Sequence, residues 1–307
     1  MRARLFLTVA AAAVCAPGLA LAHGERVAVV TPYLSAVATA EMVETFEAEA
    51  AAREWEVEVV DTAGDLGAMA NRLQDVVASG VSAVVVVSID PAQMQDQVDA
   101  VAAAGIPVIA IDGAANPSVT LNVTSDNYVL GQTMTAYLFE AIGGKGEIVR
   151  FYHSAHPGVR QRELALDDAL AANPGITEIA SHYVQVPGQI DDSRNAMDSI
   201  LLANPGEGAI EAVWAAWDEP GIGAQLAIEA AGREGIVIAG IDGNPQAIEL
   251  IRACTPFIAT VRQGFGDMAR IAAEQLDAVL HGGAVAEAEM YAPVELITRE
   301  SLGATCD

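Results

Sequence analysis

Two stretches of the chain nearly repeat each other. The first reads Val-Ile-Ala-Ile-Asp-Gly over 108–113, and the second reads Val-Ile-Ala-Gly-Ile-Asp-Gly over 237–243. Each has the length of a strand buried on both faces, follows an Ala-Ala-Gly that can end a helix, and stops at Asp-Gly. A parallel strand delivers its last side chain to the carboxyl edge of the sheet, where open α/β sheets bind ligands. Asp112 and Asp242 are therefore predicted to face one cleft from two similar domains; two ordinary Asp-Gly turns are the alternative.

The N-terminus has the pattern of a secretory signal peptide. A basic start at 1–4 precedes an apolar run over 5–16 and a small-x-small site at 20–22, which predicts cleavage after Ala22. The apolar run is too short to span a bilayer, and no later apolar run is long enough to do so. We therefore expect an exported protein with residues 1–22 removed. A lipid anchor at Cys15 is the alternative, disfavoured by the large Val14 before it.

The charge balance is strongly acidic. The 307 residues include 15 Lys and Arg against 41 Asp and Glu, a net charge of −26, and loss of Arg2 and Arg4 with the signal peptide takes it to −28. Such a surface repels nucleic acid and anionic membranes. A hydrophobic content of 52% without charge blocks predicts a folded chain, long enough for two domains.

Cysteines and histidines limit the chemistry. Cys254 and Cys306 survive processing, and in an oxidising compartment a disulfide between them is predicted; two free thiols or a catalytic cysteine are the alternatives. The histidines lack the spacing of a zinc motif, so no metal site is predicted. The first strand-to-helix turn, 31–35, lacks the glycines of a dinucleotide site, and no cofactor is predicted.

Strands and helices alternate along the mature chain, which predicts parallel sheets covered by helices on both faces. Predicted strands occupy 27–31, 57–60, 83–87, the run ending at Asp112, 119–123, 147–151, 176–183, 209–214 and the run ending at Asp242. Predicted helices occupy 36–54, 66–78, 91–104, 128–142, 159–172, 190–203 and 220–231. A further strand at 258–261, a helix at 266–280 and a last strand at 291–297 predict that the chain crosses back between two sheets.

Polar and aromatic residues follow the predicted strand ends. Asp112 and Asp242 can accept hydrogen bonds from vicinal hydroxyls, while Arg160 and Gln263 can donate to them. Trp217 lies past a strand and Tyr33 holds the analogous position after the first, whereas Trp214 is predicted in the core. These residues suit a small, neutral, hydroxyl-rich ligand. The alternative for Arg160 and Arg162 is that both are solvated charges on the surface of the helix predicted at 159–172. No nucleophile with its base is recognisable, so binding without turnover is predicted.

These features together resemble the periplasmic sugar-binding proteins of ABC importers, the type I cluster that includes ribose- and galactose-binding proteins. The resemblance rests on the signal peptide, the Val-Ala-Val-Val strand, the two Asp-Gly strand ends, Ser125-Asp126-Asn127 and Gln263, and it covers nearly the whole mature chain. It implies two doubly wound, Rossmann-like lobes that close over one ligand about a three-segment hinge. The implied crossings lie near Ser125, 261–263 and Met290, with one lobe formed by 23–125 and 264–290 and the other by 126–263 and 291–307.

The resemblance also implies a role. A protein of this family captures a sugar or polyol in the periplasm and delivers it to the permease subunits of an ABC transporter in the inner membrane, and we expect a monomer. The candidate ligand-binding residues are Thr31, Tyr33, Ser35, Asp112, His156, Arg160, Trp217, Asp242 and Gln263. A receptor that signals to a chemotaxis protein or a sensor kinase, and an exported α/β enzyme acting on a sugar, are the alternatives. LacI-type repressors share the fold, but no helix-turn-helix precedes the first strand.

Departures from the ribose-binding pattern leave the ligand open. Val37 and Ala38 stand where ribose-type proteins carry two aromatics, and Gly113 replaces an arginine. Trp217 replaces an asparagine, and Gly188 replaces an aromatic. A different pentose, a hexose, a polyol or another small polar molecule is expected as readily as ribose.

Overall fold

The computed structural model describes residues 24–306, so the expected signal peptide and its cleavage site lie outside the described residues. The strands are β1 (Arg26–Thr31), β2 (Glu56–Asp61), β3 (Ala83–Val87), β4 (Val108–Ile111), β5 (Leu121–Thr124), β6 (Gly146–Tyr152), β7 (Ile176–Tyr183), β8 (Ala212–Ala215), β9 (Val237–Asp242), β10 (Phe257–Gln263), β11 (Glu289–Tyr291) and β12 (Val294–Thr298). The helices are α1 (Val37–Ala52), α2 (Leu66–Ser79), α3 (Gln95–Ala103), α4 (Asn127–Ala141), α5 (Pro157–Ala172), α6 (Gln189–Ala203), α7 (Asp218–Ala230), α8 (Pro245–Arg252) and α9 (Phe265–Leu280), with a short 3₁₀ helix at Pro91–Met94.

Two six-stranded sheets form the two lobes. The first has the order β11-β5-β4-β3-β1-β2 and is parallel throughout; the second has the order β12-β10-β9-β8-β6-β7 and is parallel except for β12, which pairs antiparallel with β10. Strands such as β3 are buried along their whole length, which explains why they read as continuous Val and Ile. The predicted fold class, two doubly wound parallel α/β lobes, is confirmed.

Helices cover both faces of the first sheet. On one face Met42 and Phe46 of α1 pack with Met268 of α9, and on the other Met69 and Leu73 of α2 pack under the same strands; all five side chains are buried. The fully buried Trp214 of β8 lies in the core of the second lobe, as predicted, with its indole Nε1 donating to Thr135 Oγ1 at 2.9 Å. Among residues 24–306, no helix is both long and apolar enough to span a membrane.

The chain passes between the two sheets at three points: after β5, after β10, and between β11 and β12. The single last strand predicted at 291–297 is wrong. Two strands occupy that region, separated at Ala292-Pro293, because proline has no N–H to continue a ladder and β11 and β12 belong to different sheets. Tyr291 pairs with Thr124 in the first sheet, so we propose a first lobe of 24–125 with 264–291 and a second of 126–263 with 292–306.

Two further local features complete the second lobe. Helix α8 has no counterpart among the predicted helices, although Asn244 caps it by accepting from the Gln246 amide at 2.9 Å and Pro245 follows the cap. Cys254 and Cys306 form the predicted disulfide, with their Cα atoms 5.6 Å apart.

Candidate functional site

A cavity lies between the lobes at the carboxyl ends of the strands. It has about 490 Å³ of space not occupied by atoms, a volume that includes its open mouth. The first lobe contributes Tyr33, Ala36, Ala38, Thr39, Ser88 and Asp112, and the second lobe contributes His153, His156, Val159, Arg162, Val186, Trp217 and Asp242.

Three of these residues have an unusual backbone where their strands end. Ser88, Asp112 and Asp242 have φ values of 58°, 51° and 130°, a region that residues other than glycine seldom occupy. Such conformations cost on the order of 1–3 kcal/mol each and persist where the surrounding structure requires them, as at ligand sites. Gly113 is also required, because a Cβ there would lie 2.9 Å from the Ile89 carbonyl oxygen. Packing therefore fixes the first Asp-Gly pair at the end of its strand, with Asp112 in the cavity wall.

Arg162 of α5 supplies the cation of the cavity. Its side chain is 2% exposed; Nε donates to Asn127 Oδ1 at 2.8 Å and Nη1 donates to the Ala216 carbonyl at 2.7 Å. Nη1 also lies 3.6 Å from Asp242 Oδ1. The close approach of α4 to α5 depends on Gly131, where a Cβ would lie 2.8 Å from the Arg162 Cα. The guanidinium is thus held at two points and faces the carboxylates.

The two strand-end carboxylates differ in their electrostatics. Burial raises the pKa of Asp112, but His156, Arg162 and the Thr124 hydroxyl outweigh it and hold the pKa below its usual range. Burial raises the pKa of Asp242 to about 7, against the opposing effects of Arg162 and of Gln263, whose Nε2 donates to Asp242 Oδ1 at 2.9 Å. Asp112 is therefore a charged acceptor at neutral pH, while Asp242 titrates near neutrality.

Asp218, the residue after Trp217, supports the loop that follows Asp242. It is fully buried, and its carboxyl accepts from Thr260 Oγ1 and from the Asn244 amide, both at 2.7 Å. Burial, followed by the neighbouring Asp242, raises the pKa of Asp218 well above its usual range. These contacts fix the backbone just past the end of β9 and thereby the position of the Asp242 carboxyl.

Aromatic rings form another part of the wall. The Tyr33 hydroxyl lies 3.1 Å from His153 Nε2, and the His153 ring meets Trp217 edge-on with the centroids 6.3 Å apart. His153 Nδ1 lies 2.8 Å from the Val184 carbonyl oxygen, which can only accept, so Nδ1 carries the proton and Nε2 accepts from Tyr33. Burial lowers the pKa of His153 and raises that of Tyr33 to about 12, so both are neutral around pH 7.

Five of the nine candidate residues line this cavity: Tyr33, Asp112, His156, Trp217 and Asp242. Gln263 does not line it but contacts Asp242. Thr31 is fully buried and accepts from the Tyr33 amide at 3.2 Å, which shapes the turn after β1, and Ser35 is exposed outside the cavity. Arg160 also lies outside and pairs with Asp90. The expectation of a direct cavity contact is corrected for these four residues.

Several cavity residues were not among the candidates: Thr39, Ser88, His153 and Arg162, with the small side chains Ala36, Ala38, Val159 and Val186. Thr39 and Ser88 come from separate elements and share a hydrogen bond of 2.8 Å. Ser88 follows a strand, a signal that could have found it; Thr39 and Arg162 lie within helices, where no such signal exists. Ala38, where ribose-type proteins are expected to carry an aromatic, leaves space that Tyr33 and His153 border. Among residues 24–306, no cluster of three metal-ligating side chains is found.

Comparison with known proteins places the chain in a family. The family model described as "Periplasmic binding protein domain" matches residues 27–284. The ribose import binding protein of Bacillus subtilis is 29% identical over 261 residues, covering 83% of this chain and 81% of that protein. The xylitol-binding protein of Mycolicibacterium smegmatis is 28% identical over 201 residues, covering 65% of this chain and 56% of that protein.

A solved structure agrees with these relatives. The ABC transporter solute-binding protein from Agrobacterium vitis, solved with bound allitol, superposes with a TM-score of 0.86 at 26% identity, covering 92% of this chain and 97% of that one. The relatives are transport binding proteins, in keeping with a site in which binding without turnover was predicted. The chain belongs to the periplasmic binding protein domain family, among the ribose-binding-like solute-binding proteins of ABC transporters.

Proposed function

We propose that the chain is an exported receptor that closes over one sugar or polyol and presents the closed form to the permease of an ABC importer. One observation carries the choice of ligand: Asp112 and Asp242 enter the same cavity from opposite lobes, with the Arg162 guanidinium beside Asp242. The charged Asp112 carboxylate accepts strongly from hydroxyls, the Asp242 carboxyl can accept from a hydroxyl or, when protonated, donate to one, and a guanidinium donates to hydroxyl oxygens. A neutral molecule that carries several hydroxyls matches this arrangement.

The aromatic wall supports the same class of ligand. Trp217 and Tyr33 border the cavity, each 8% exposed, and offer apolar surface to the C–H groups of a sugar ring or polyol chain. The relatives named for ribose, xylitol and allitol support a pentose, pentitol or hexitol as the first compounds to test. The altered neighbours Ala38, Trp217 and Gly188 favour none of them over the others.

Location and partners follow from the proposal. The signal peptide pattern over 1–22 and the family support release into the periplasm, where the mature chain would begin at His23. We infer a monomer that docks on inner-membrane permease subunits. A receptor that reports the same ligand to a chemotaxis protein or sensor kinase would use the same cleft, and a transport assay with a deletion strain separates the two roles.

A thermal-shift screen of the mature chain against pentoses, hexoses, pentitols, hexitols, cyclitols and nucleosides tests the proposal. A ligand at 100 times its Kd stabilises the folded state by about 2.7 kcal/mol, which gives a clear rise in melting temperature. Asp242→Ala should abolish the rise while the unliganded variant remains folded. If none of these compounds raises the melting temperature, the proposal fails. Chromatographic recovery of the compound after incubation must return it unchanged, because consumption would indicate an enzyme.

A further inference from the structure

Arg160 and Asp90 join the two lobes beside the cavity and not within it. Arg160 lies in the first turn of α5 in the second lobe, and Asp90 lies between β3 and the 3₁₀ helix of the first lobe. Arg160 Nη2 forms an ion pair with Asp90 Oδ2, and neither residue lines the cavity. The pair therefore joins the two lobes and must break if they move apart.

Each partner is already held by its own lobe. Arg160 Nη1 donates to the carbonyls of Ser154 at 2.8 Å and Ala155 at 3.2 Å. Asp90 Oδ1 accepts from the Ala92 amide at 3.0 Å, which leaves Oδ2 for the arginine. Because local hydrogen bonds orient both side chains, closing the lobes orders little that is free in the open form.

A second contact lies next to the ion pair. Gln93 Nε2 donates to the Ala155 carbonyl at 2.6 Å, so the first lobe binds the loop between β6 and α5 through Gln93 and the first turn of α5 through Asp90. The Asp90 side chain is 13% exposed in this closed arrangement, which limits screening by solvent on that side of the pair. We call Asp90, Gln93 and Arg160 the interlobe latch.

We propose that the interlobe latch keeps a substantial fraction of the unliganded receptor closed and in this way sets its affinity, without touching the ligand. The apparent Kd of a protein that binds in one conformation is the intrinsic Kd divided by the fraction of molecules in that conformation. Loss of the latch should therefore raise the Kd of every ligand by one common factor, of about two- to fivefold. A residue in contact with the ligand would change the ratios between ligands instead.

The first experiment needs no ligand. Small-angle scattering of the unliganded mature protein compares wild type with Arg160→Ala, Asp90→Ala and the double variant. The expected result is a larger radius of gyration in all three, with the double variant no larger than either single one. The matched control is Arg252→Ala, which breaks the Arg252–Glu249 pair within α8 and should leave the radius unchanged. Scattering curves of the latch variants that coincide with wild type would overturn the proposal.

The second experiment rests on the proposed function and uses ribose, xylitol and allitol as probes in titration calorimetry. For each probe that wild type binds, Arg160→Ala and Asp90→Ala should raise Kd by the same factor, and the double variant should raise it no further. High salt should raise the Kd of wild type by a larger factor than the Kd of the variants, because salt screens the ion pair that the variants lack. A factor that differs between probes would overturn the latch and return Arg160 to the ligand site. If wild type binds none of the probes, the proposed ligand class fails while the scattering result still decides the latch.

Discussion

Asp112 of the first lobe and His156 of the second face each other across the cleft, with 3.4 Å between Oδ2 and Nε2. His156 Nδ1 accepts from the Gly158 amide at 3.2 Å, so Nε2 carries the proton and points at the carboxylate. His156 therefore occupies on Asp112 the kind of position that a ligand hydroxyl would take. The contact joins the lobes directly through the proposed site.

Replacing Asp112 by asparagine should weaken ligand binding by about 10- to 100-fold. The amide keeps the shape of the side chain but loses the charge-assisted acceptor, a loss of about 1.5–3 kcal/mol. Titration calorimetry with a ligand found in the screen measures the effect. Asp75→Asn, on an exposed position of α2, is the matched control and should bind like wild type. Equal affinity of the two variants would exclude Asp112 from the site.

Replacing Arg162 by alanine should lower the free energy of unfolding by about 3 kcal/mol or more. The change removes the guanidinium beside Asp242 and the N–H donors to Asn127 Oδ1 and the Ala216 carbonyl. Because these groups are buried, the loss is costly. Urea unfolding at pH 7.5 measures it. Arg194→Ala, on the exposed face of α6, should change stability by less than about 0.5 kcal/mol. A similar small effect for Arg162 would show that the guanidinium is not essential to the packing.

The stability of the unliganded protein should depend on pH through Asp242. Its pKa is about 7 in the folded state, raised by burial, and about 3.9 in the unfolded chain. The folded state binds this proton more tightly, so the stabilisation is full below about pH 4 and is lost as the pH rises to about 7. Between pH 5 and pH 7 the loss is on the order of 2 kcal/mol.

The measurement compares wild type with Asp242→Asn in urea at several pH values. The free energy of unfolding of wild type minus that of the variant should fall as the pH rises through this range. His153, whose pKa burial lowers, destabilises both proteins at acid pH and cancels in the difference, whereas Asp218, whose pKa Asp242 helps to raise, adds to the expected fall. A difference that is constant, or that grows with pH, would contradict the raised pKa of Asp242.

Trp217 should report ligand binding by fluorescence. It is the only one of the three tryptophans of the chain that lines the cavity, and its indole should change environment when a ligand displaces water. Trp217→Phe should lose the ligand-induced fluorescence change, whereas Trp214→Phe should keep it. Trp217→Ala should also weaken binding by about tenfold through loss of the aromatic face. Persistence of the signal in Trp217→Phe would place the ligand elsewhere.

The disulfide should stabilise the fold without affecting the site. Cys254 and Cys306 close a loop with a sequence separation of 52, for which the chain-entropy model gives about 4 kcal/mol. Replacing both by serine should lower the melting temperature, as seen by calorimetry, and leave the Kd unchanged because neither cysteine lines the cavity. Weakened binding in the folded double variant would indicate that the C-terminal segment influences closure.

Most of the fold could be predicted from local patterns. A strand buried on both faces, such as β3, has apolar residues at every position. A helix buried on one face, such as α1, has its buried residues three or four positions apart, so the two patterns can be told apart in the sequence. The passage of the chain from one sheet to the other at Ala292-Pro293 could not be predicted in this way. It depends on where the two sheets lie, because β11 pairs in the first sheet and β12 in the second. Helix α8 could have been predicted, because Asn244 and Pro245 form a helix start and Ala247 and Ile251 lie four residues apart on its buried face.

The two Asp-Gly strand ends in the sequence already determined the centre of the cavity. Asp112, Asp242 and Trp217 lie at or just after the carboxyl ends of parallel strands. The carboxyl end of a parallel strand lies at the cleft independently of how the neighbouring helices pack. Only the tertiary structure decided which of the two arginines of α5 lines the cavity. Arg160 and Arg162 are two residues apart on α5, so their side chains point about 200° apart around the helix axis. The packing of α5 against α4 directs Arg162 into the cavity and leaves Arg160 to meet Asp90 of the other lobe.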